Sequence, residues 1–174
     1  MKVLCSAALL LASVSAASAA APQGLLNKTV TLHWGTSGMA KGADGRSTSF
    51  SNINTRMIYI SSAGRTFLRM RVGSAGRSNA RQGELGPDDG GSRGSVRLEG
   101  NRLVGVESFQ SGARQYVATF DASFASCTLT IIDAKGDGGT IRRRGPNGAM
   151  YEVSNVSTNS PSCSIQAGNA FGGQ

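Results

Sequence analysis

The chain has 174 residues, 24 of them glycine, with 18 Lys and Arg against 10 Asp and Glu, a formal charge of +8, and only 6% aromatic residues. That length suits one domain, and the glycine content asks for tight turns and short strands in place of long helices. One histidine and three cysteines exclude a zinc site once the N-terminal cysteine is set aside, because the remaining pair has too few partners to complete one.

The N-terminus, MKVLCSAALLLASVSAASAAAPQ, carries one Lys, an apolar stretch over 3–14 too short to span a bilayer, and a small-residue run ending in Ala17, Ser18 and Ala19. This is the anatomy of a secretory signal peptide over 1–19, with cleavage expected after Ala19 or Ala20. Cys5 lies too close to the initiator Met for a lipobox. No later stretch is apolar enough for a membrane span, so the protein is expected in the periplasm or secreted, with a charge of +7 after cleavage. Cys127 and Cys163 then remain as an even pair, read as one disulfide, the alternative being two free thiols or a metal pair. A single β domain is expected over 24–166, with AGNAFGGQ (167–174) as a loose tail.

Helical periodicity is nowhere sustained, whereas period-two alternation keeps returning between Gly, Ser and Asn clusters. It predicts strands at 29–34, 55–61, 66–72, 95–99, 102–108, 113–121, 127–133 and 149–157. The fold class is therefore all-β. Gly100-Asn101 suits a primed two-residue turn, placing Glu99 opposite Arg102 as an outward ion pair and Leu98 opposite Leu103. Arg69 and Arg71 alternate with Leu68, Met70 and Val72, as on a solvated sheet face. The connections 35–54 and 73–94 are long enough to be mobile or functional. In a meander they emerge at one end, with the turn near Gln110 and the segment after Asp133. If Cys163 is to reach Cys127, 134–148 reads best as one loop excursion at that same end, carrying Arg142, Arg143 and Arg144. About eight antiparallel strands with first beside last can close as a small barrel; a two-sheet sandwich is the alternative.

No catalytic or cofactor motif of useful specificity is present, and no cofactor or metal is expected. His33 alternates outward between Leu32 and Trp34. Trp34 and Tyr59 read as core. Glu107 falls on the face of Leu103 and Leu98, where a carboxylate is costly unless paired or facing a ligand; a strand-end shift towards solvent is the ordinary reading, and a pairing with Glu152 or Asp121 as acid and base the adventurous one. Asp88 and Asp89, and Asp133 with Asp137, lack the spacing of a calcium loop. The cations carry the remaining signal. Lys41, Arg46, Arg77, Arg81, Arg93, Arg114, Lys135 and Arg142, Arg143 and Arg144 are placed at the loop end, against Asp44, Glu84, Asp88, Asp89 and Asp137. A rim of one sign attracts anionic partners, and arginine forks match phosphate and carboxylate.

The stretch FDASFASC (120–127), with the ending SCSIQAGNAFGG (162–173), is similar to the late part of small exported bacterial β-proteins of uncharacterised function. The resemblance covers the last third of the chain; it implies export and supports the Cys127 to Cys163 pairing, and implies no activity. The reading of function is a non-enzymatic exported module that binds an anionic polymer or surface (lipopolysaccharide, cell-wall polymer or acidic glycan) through Arg142, Arg143, Arg144, Arg77, Arg81 and Arg114. Export makes nucleic acid a poor physiological partner. The rivals are a small envelope enzyme using a carboxylate pair, and an inhibitor of lysozyme-like hydrolases, which a +7 partner would repel wherever the hydrolase is cationic.

Overall fold

Val30, Leu32 and Trp34 are buried while Thr31 and His33 between them face outward, so alternation along the first strand sets the inner face of a sheet. The computed structural model describes residues 21–74, 77–84, 95–109, 112–135, 141–144 and 149–171, with the backbone alone described at 74, 77–84, 109, 112, 134–135 and 141–144. The strands are β1 (Lys28–Lys41), β2 (Ser47–Ile60), β3 (Thr66–Ser74), β4 (Arg77–Glu84), β5 (Ser95–Glu99), β6 (Arg102–Phe109), β7 (Gly112–Phe120), β8 (Cys127–Lys135), β9 (Ile141–Arg144) and β10 (Met150–Ala167). A single 3-10 turn, Gln23–Leu25, precedes them. Among the described residues no helix is long and apolar enough to cross a membrane. The predicted leader at 1–19 lies outside the described residues.

Two antiparallel sheets result, one of six strands in the order β4-β3-β2-β1-β10-β9 and one of four in the order β5-β6-β7-β8. The core fills the space between them. Leu25, Val30, Leu32, Ile58, Ile60 and Leu68 come from the six-stranded side, and Val96, Leu103, Ala118, Phe120 and Leu129 from the other. Each such side chain stabilises the fold by about 1.5–3 kcal/mol relative to exposure. First and last strands lie side by side and antiparallel, β1 with β10, as expected. Among the described residues no ladder joins the two sheets into the expected closed barrel, and the two-sheet arrangement is the better description. Among the described residues no ladder joins β8 to β10; the Cys127–Cys163 disulfide, with Cα atoms 5.6 Å apart, links them instead. Bridging a sequence separation of 36 restricts the unfolded chain by roughly 4 kcal/mol in the entropy model.

Three expectations about loops are corrected. The connection 35–54 is mostly strand, because β1 runs on to Lys41 and β2 begins at Ser47, leaving a short turn between them. Apart from Met39, Phe50 and Ile53 its residues are small or polar on both faces, so no sustained apolar alternation marked it. Within 73–94, β4 pairs with β3, and 85–94 lies outside the described residues. Within 134–148, β9 pairs with the first four residues of β10. A strand there does not force β10 to double back, because β10 is 18 residues long and reaches Cys163 after leaving β9 behind.

β10 keeps that length by bulging. Two register shifts against β1 each leave two β10 residues opposite one, and Asn155 and Ser160, with φ of 52° and 49°, sit at these places. Pro161 falls in the second bulge, where the missing N–H interrupts no ladder bond.

The tail is also not loose where it is described. Phe171 is buried against Tyr59, with ring centroids 6.4 Å apart, and its carbonyl accepts from Arg69. Thr29 Oγ1 donates to Gly168 O at 2.7 Å and accepts from Ala170 N at 3.0 Å. Residues 168–171 thus strap the outer face of the six-stranded sheet.

Candidate functional site

Four charges occupy the inner faces where hydrophobic side chains end. Arg56 follows Ile60 and Ile58 along β2, and Glu107 follows Leu103 along β6. Across the sheets Arg56 Nε donates to Glu107 Oε1 at 2.5 Å and Nη2 to Oε2 at 3.0 Å, while Nη1 reaches the carbonyls of Thr55 and Arg71. Within the smaller sheet Glu107 is opposite Arg114, and Arg114 opposite Asp133. Arg114 holds Asp133 with a second fork, at 2.6 and 3.2 Å. The exposures are 2% for Arg56, 7% for Glu107 and 2% for Arg114. Charges so buried persist only when paired and hydrogen-bonded, and this layer is balanced at two of each sign.

Trp34 lies among them. Both guanidinium groups stack on its indole, at 5.1 and 5.8 Å from the centroid, a cation–π arrangement strengthened by desolvation. Trp34 Nε1 is the one buried side-chain donor without a partner among the described residues, a local cost that these contacts offset in part. Tyr116 packs beside Trp34 with centroids 6.1 Å apart. Burial first, then the Glu107 charge, push its phenol well above the usual tyrosine range, with Arg56 opposing, so Tyr116 stays a neutral phenol. Its ring lies flat on Gly105, its register partner: a Cβ there would meet ring carbons at 1.9 Å. Only glycine fits.

Glu107 is therefore inward, as the Leu98 to Leu103 register indicated, but its partner is Arg56 and not a second carboxylate. The strand-end shift is corrected by this geometry. Asp121 terminates β7 at the far end, seven residues beyond Arg114 and about 23 Å along the strand, and its carboxylate accepts from Ala125 N and from Ser123 and Ser126. These turn bonds, the Ala125 amide foremost, hold its pKa below the usual carboxylate value. Glu152 is exposed on β10. The acid–base pairings with Glu107 are thus not assembled. His33 is exposed, within 3.1 Å of Thr55 Oγ1; Trp34 is core, and Tyr59 is half-buried on the outer face. Glu99 is gripped by Arg97 of its own strand, although Arg102 is its register partner as expected. Among the described residues no three His, Cys, Asp or Glu converge as metal ligands would; Asp88, Asp89 and Asp137 lie outside them.

The predicted anion-binding arginines separate. Arg114 belongs to the buried layer, and its placement on a solvent-facing loop end is corrected: it begins the inner face of β7, two residues before Tyr116. Arg142, Arg143 and Arg144 form β9 at one edge of the six-stranded sheet, whereas Arg77 and Arg81 lie in β4 at the opposite edge. The side chains of these five lie outside the described residues, but the register fixes their levels. Arg142 is opposite Glu152, which is opposite Lys41 at the end of β1. Arg77 is level with Ser74, Asn52 and Thr36, five residues back from Lys41 and five strand spacings from β9. The two groups are therefore on the order of 30 Å apart along the sheet. Arg93 lies outside the described residues, as does the Lys135 side chain.

A different group forms at the tip of the β1–β2 hairpin. Lys41 is exposed, and the Arg46 side chain is 90% exposed, 3.9 Å from Asp44. By backbone register β9 adjoins this tip, so among the described residues the tip and β9 carry five cations, Lys41, Arg46, Arg142, Arg143 and Arg144, against Asp44 and Glu152. Tyr151 stands at the Arg143 level, its ring 3.7 Å from where a Gly42 Cβ would be. Sequence reasoning missed the buried layer, Arg56 above all; the signal that could have found it is the spacing of two that puts Arg56 on the face of inward Ile58 and Ile60. The tip group needed the pairing of β10 with both β1 and β9, which the sequence does not display. No protein-family model, curated protein or solved structure matches the chain.

Proposed function

We propose that the protein is an exported binding module that holds an anionic envelope or surface ligand, such as lipopolysaccharide phosphate, a cell-wall polymer or an acidic glycan, at the tip formed by the β1–β2 hairpin and β9. The observation that carries this is the row Lys41, Glu152, Arg142 across three neighbouring strands, about 10 Å wide, with Arg143 and Arg144 continuing β9 beyond it. The Arg56–Glu107 and Arg114–Asp133 pairs are each neutral, so the excess of seven positive charges left once the leader and its Lys2 are removed belongs entirely to residues outside the buried layer. A local excess of one sign raises the concentration of anionic partners and speeds their encounter. The leader-like N-terminus and the disulfide support an oxidising, exported setting, periplasmic or secreted, which makes nucleic acid a poor partner in vivo.

The test is binding of the exported protein to immobilised heparin and to lipopolysaccharide at low and high salt, with Arg142, Arg143 and Arg144 replaced together by Ser. Affinity should fall on the order of 100-fold at low salt, at about 1 kcal/mol per cation near an anionic surface, and the salt dependence should flatten. The melting temperature should barely move, as for other surface substitutions. Undiminished low-salt binding by a folded triple variant removes the tip as the site.

A further inference from the structure

We infer that the free edge of β8 is a surface for pairing with a second copy of this chain, and that the Cys127–Cys163 disulfide is the guard that closes it. β8 pairs along its whole length with β7, but among the described residues its other edge is laddered to no strand. Its first six residues, CTLTII over 127–132, carry no charge, proline or glycine, and four of the six are β-branched. An uncharged, β-branched stretch on an unpaired edge is the kind of strand that adds to another chain. Leu129 and Ile131 face the core, so Ile132 faces out, 48% exposed. It is one of two large hydrophobic side chains so exposed among the described residues.

The disulfide stands where a partner would. A strand added to β8 must run about 4.8 Å from it, and the Cα of Cys163 is held 5.6 Å from that of Cys127. β10 thus occupies the place without bonding as a neighbouring strand does. Ser160 has a φ of 49° and Pro161 has no N–H, so the run into Cys163 offers no regular ladder. Until a partner disulfide takes the two protons and two electrons of the thiols, that covalent hold is missing and β8 is open.

A second copy fits this edge. Antiparallel pairing of β8 with itself about Thr130 sets Thr128 opposite Ile132 and Leu129 opposite Ile131, so like faces meet. Asp133, the one charge in 127–133, falls opposite Cys127, and no like charges meet across the junction. Thr130 is level with Val117 and Val104, and the junction carries that β-branched row from one protomer into the next, a cross-strand pairing that stabilises sheets. The two four-stranded sheets become one continuous sheet with a two-fold axis, a closed assembly.

Sedimentation velocity on the disulfide-bonded protein and on Cys127→Ser/Cys163→Ser tests this. The bonded protein should be monomeric and the double variant dimeric at the same concentration. Adding Ile132→Lys to the double variant should weaken the dimer about tenfold or more; in the bonded protein the same change should leave the melting temperature almost unchanged. One new cysteine in the double variant reads the register. Thr130→Cys should cross-link two copies under mild oxidation, since residues opposite on the axis have Cβ atoms about 4.5–5.5 Å apart. Thr128→Cys, about 14 Å from its counterpart, should not. A folded double variant that stays monomeric overturns the inference, as does equal cross-linking at the two positions or a bonded protein as dimeric as the variant. A double variant without strand circular dichroism overturns it too, because the disulfide would then hold the fold together and not close an edge.

Discussion

Arg56 and Arg114 at the buried layer and the arginines of β9 at the tip are the same residue in opposite circumstances. The first two are each gripped by one carboxylate and stacked on one indole; the tip and β9 carry, among the described residues, five cations for two carboxylates. Counting charge along the chain treats them alike. What separates them is position relative to the inward face of a strand, and a positive surplus becomes a site only where burial has not already required its neutralisation.

The largest effect should come from breaking that balance. Arg56→Met leaves Glu107 buried among Tyr116 and Trp34 without its partner, and removing one member of a buried pair costs about 3–5 kcal/mol. Adding Glu107→Leu to Arg56→Met should recover much of the loss, because an apolar pair of similar volume is often neutral or better. Denaturant unfolding of the single and double variants measures this. A double variant no more stable than Arg56→Met would mean that the layer is held by packing around Trp34 and not by the ion pair.

A smaller effect is expected at the strap. Phe171 is buried on Tyr59, outside the core between the sheets, so Phe171→Ala should lose about 2 kcal/mol, the worth of burying one large apolar side chain. Polyanion binding should be unaffected, since Phe171 lies towards the Lys28 end of β1 and the tip lies at the Lys41 end. A melting temperature unchanged within error would show that the tail does not hold this position in solution.

The same contrast explains what the sequence could and could not convey. Eight strand positions were legible because Val, Ile, Leu and aromatic residues alternate there, and the Leu98 to Leu103 register of one hairpin even turned Glu107 inward. The upper parts of β1 and β2, rich in Ser, Thr, Asn and Gly, carry no such alternation, because neither face is covered by core. β10 was read as ending at 157, since Pro161 and a polar run stand in for a strand that survives by bulging. Pairing between strands distant in sequence is the hardest part. β9 beside β10 beside β1 creates the tip, and β4 at the far edge removes Arg77 and Arg81 from it; neither follows from local pattern.

Arg77 and Arg81 consequently offer the finest test of that grouping. Proximity in a meander would place them in one anion site with Arg142, Arg143 and Arg144, whereas the observed order puts β3, β2, β1 and β10 between the two sets. At physiological salt the Debye length is about 8 Å, so charges on the order of 30 Å away are screened several times over. Replacing Arg77 and Arg81 by Ser should change affinity for heparin less than about twofold and leave the salt slope intact, while the triple replacement in β9 lowers both. If the two sets of substitutions weaken binding equally, the ligand spans the sheet from edge to edge, and the tip is only one end of a longer anion track.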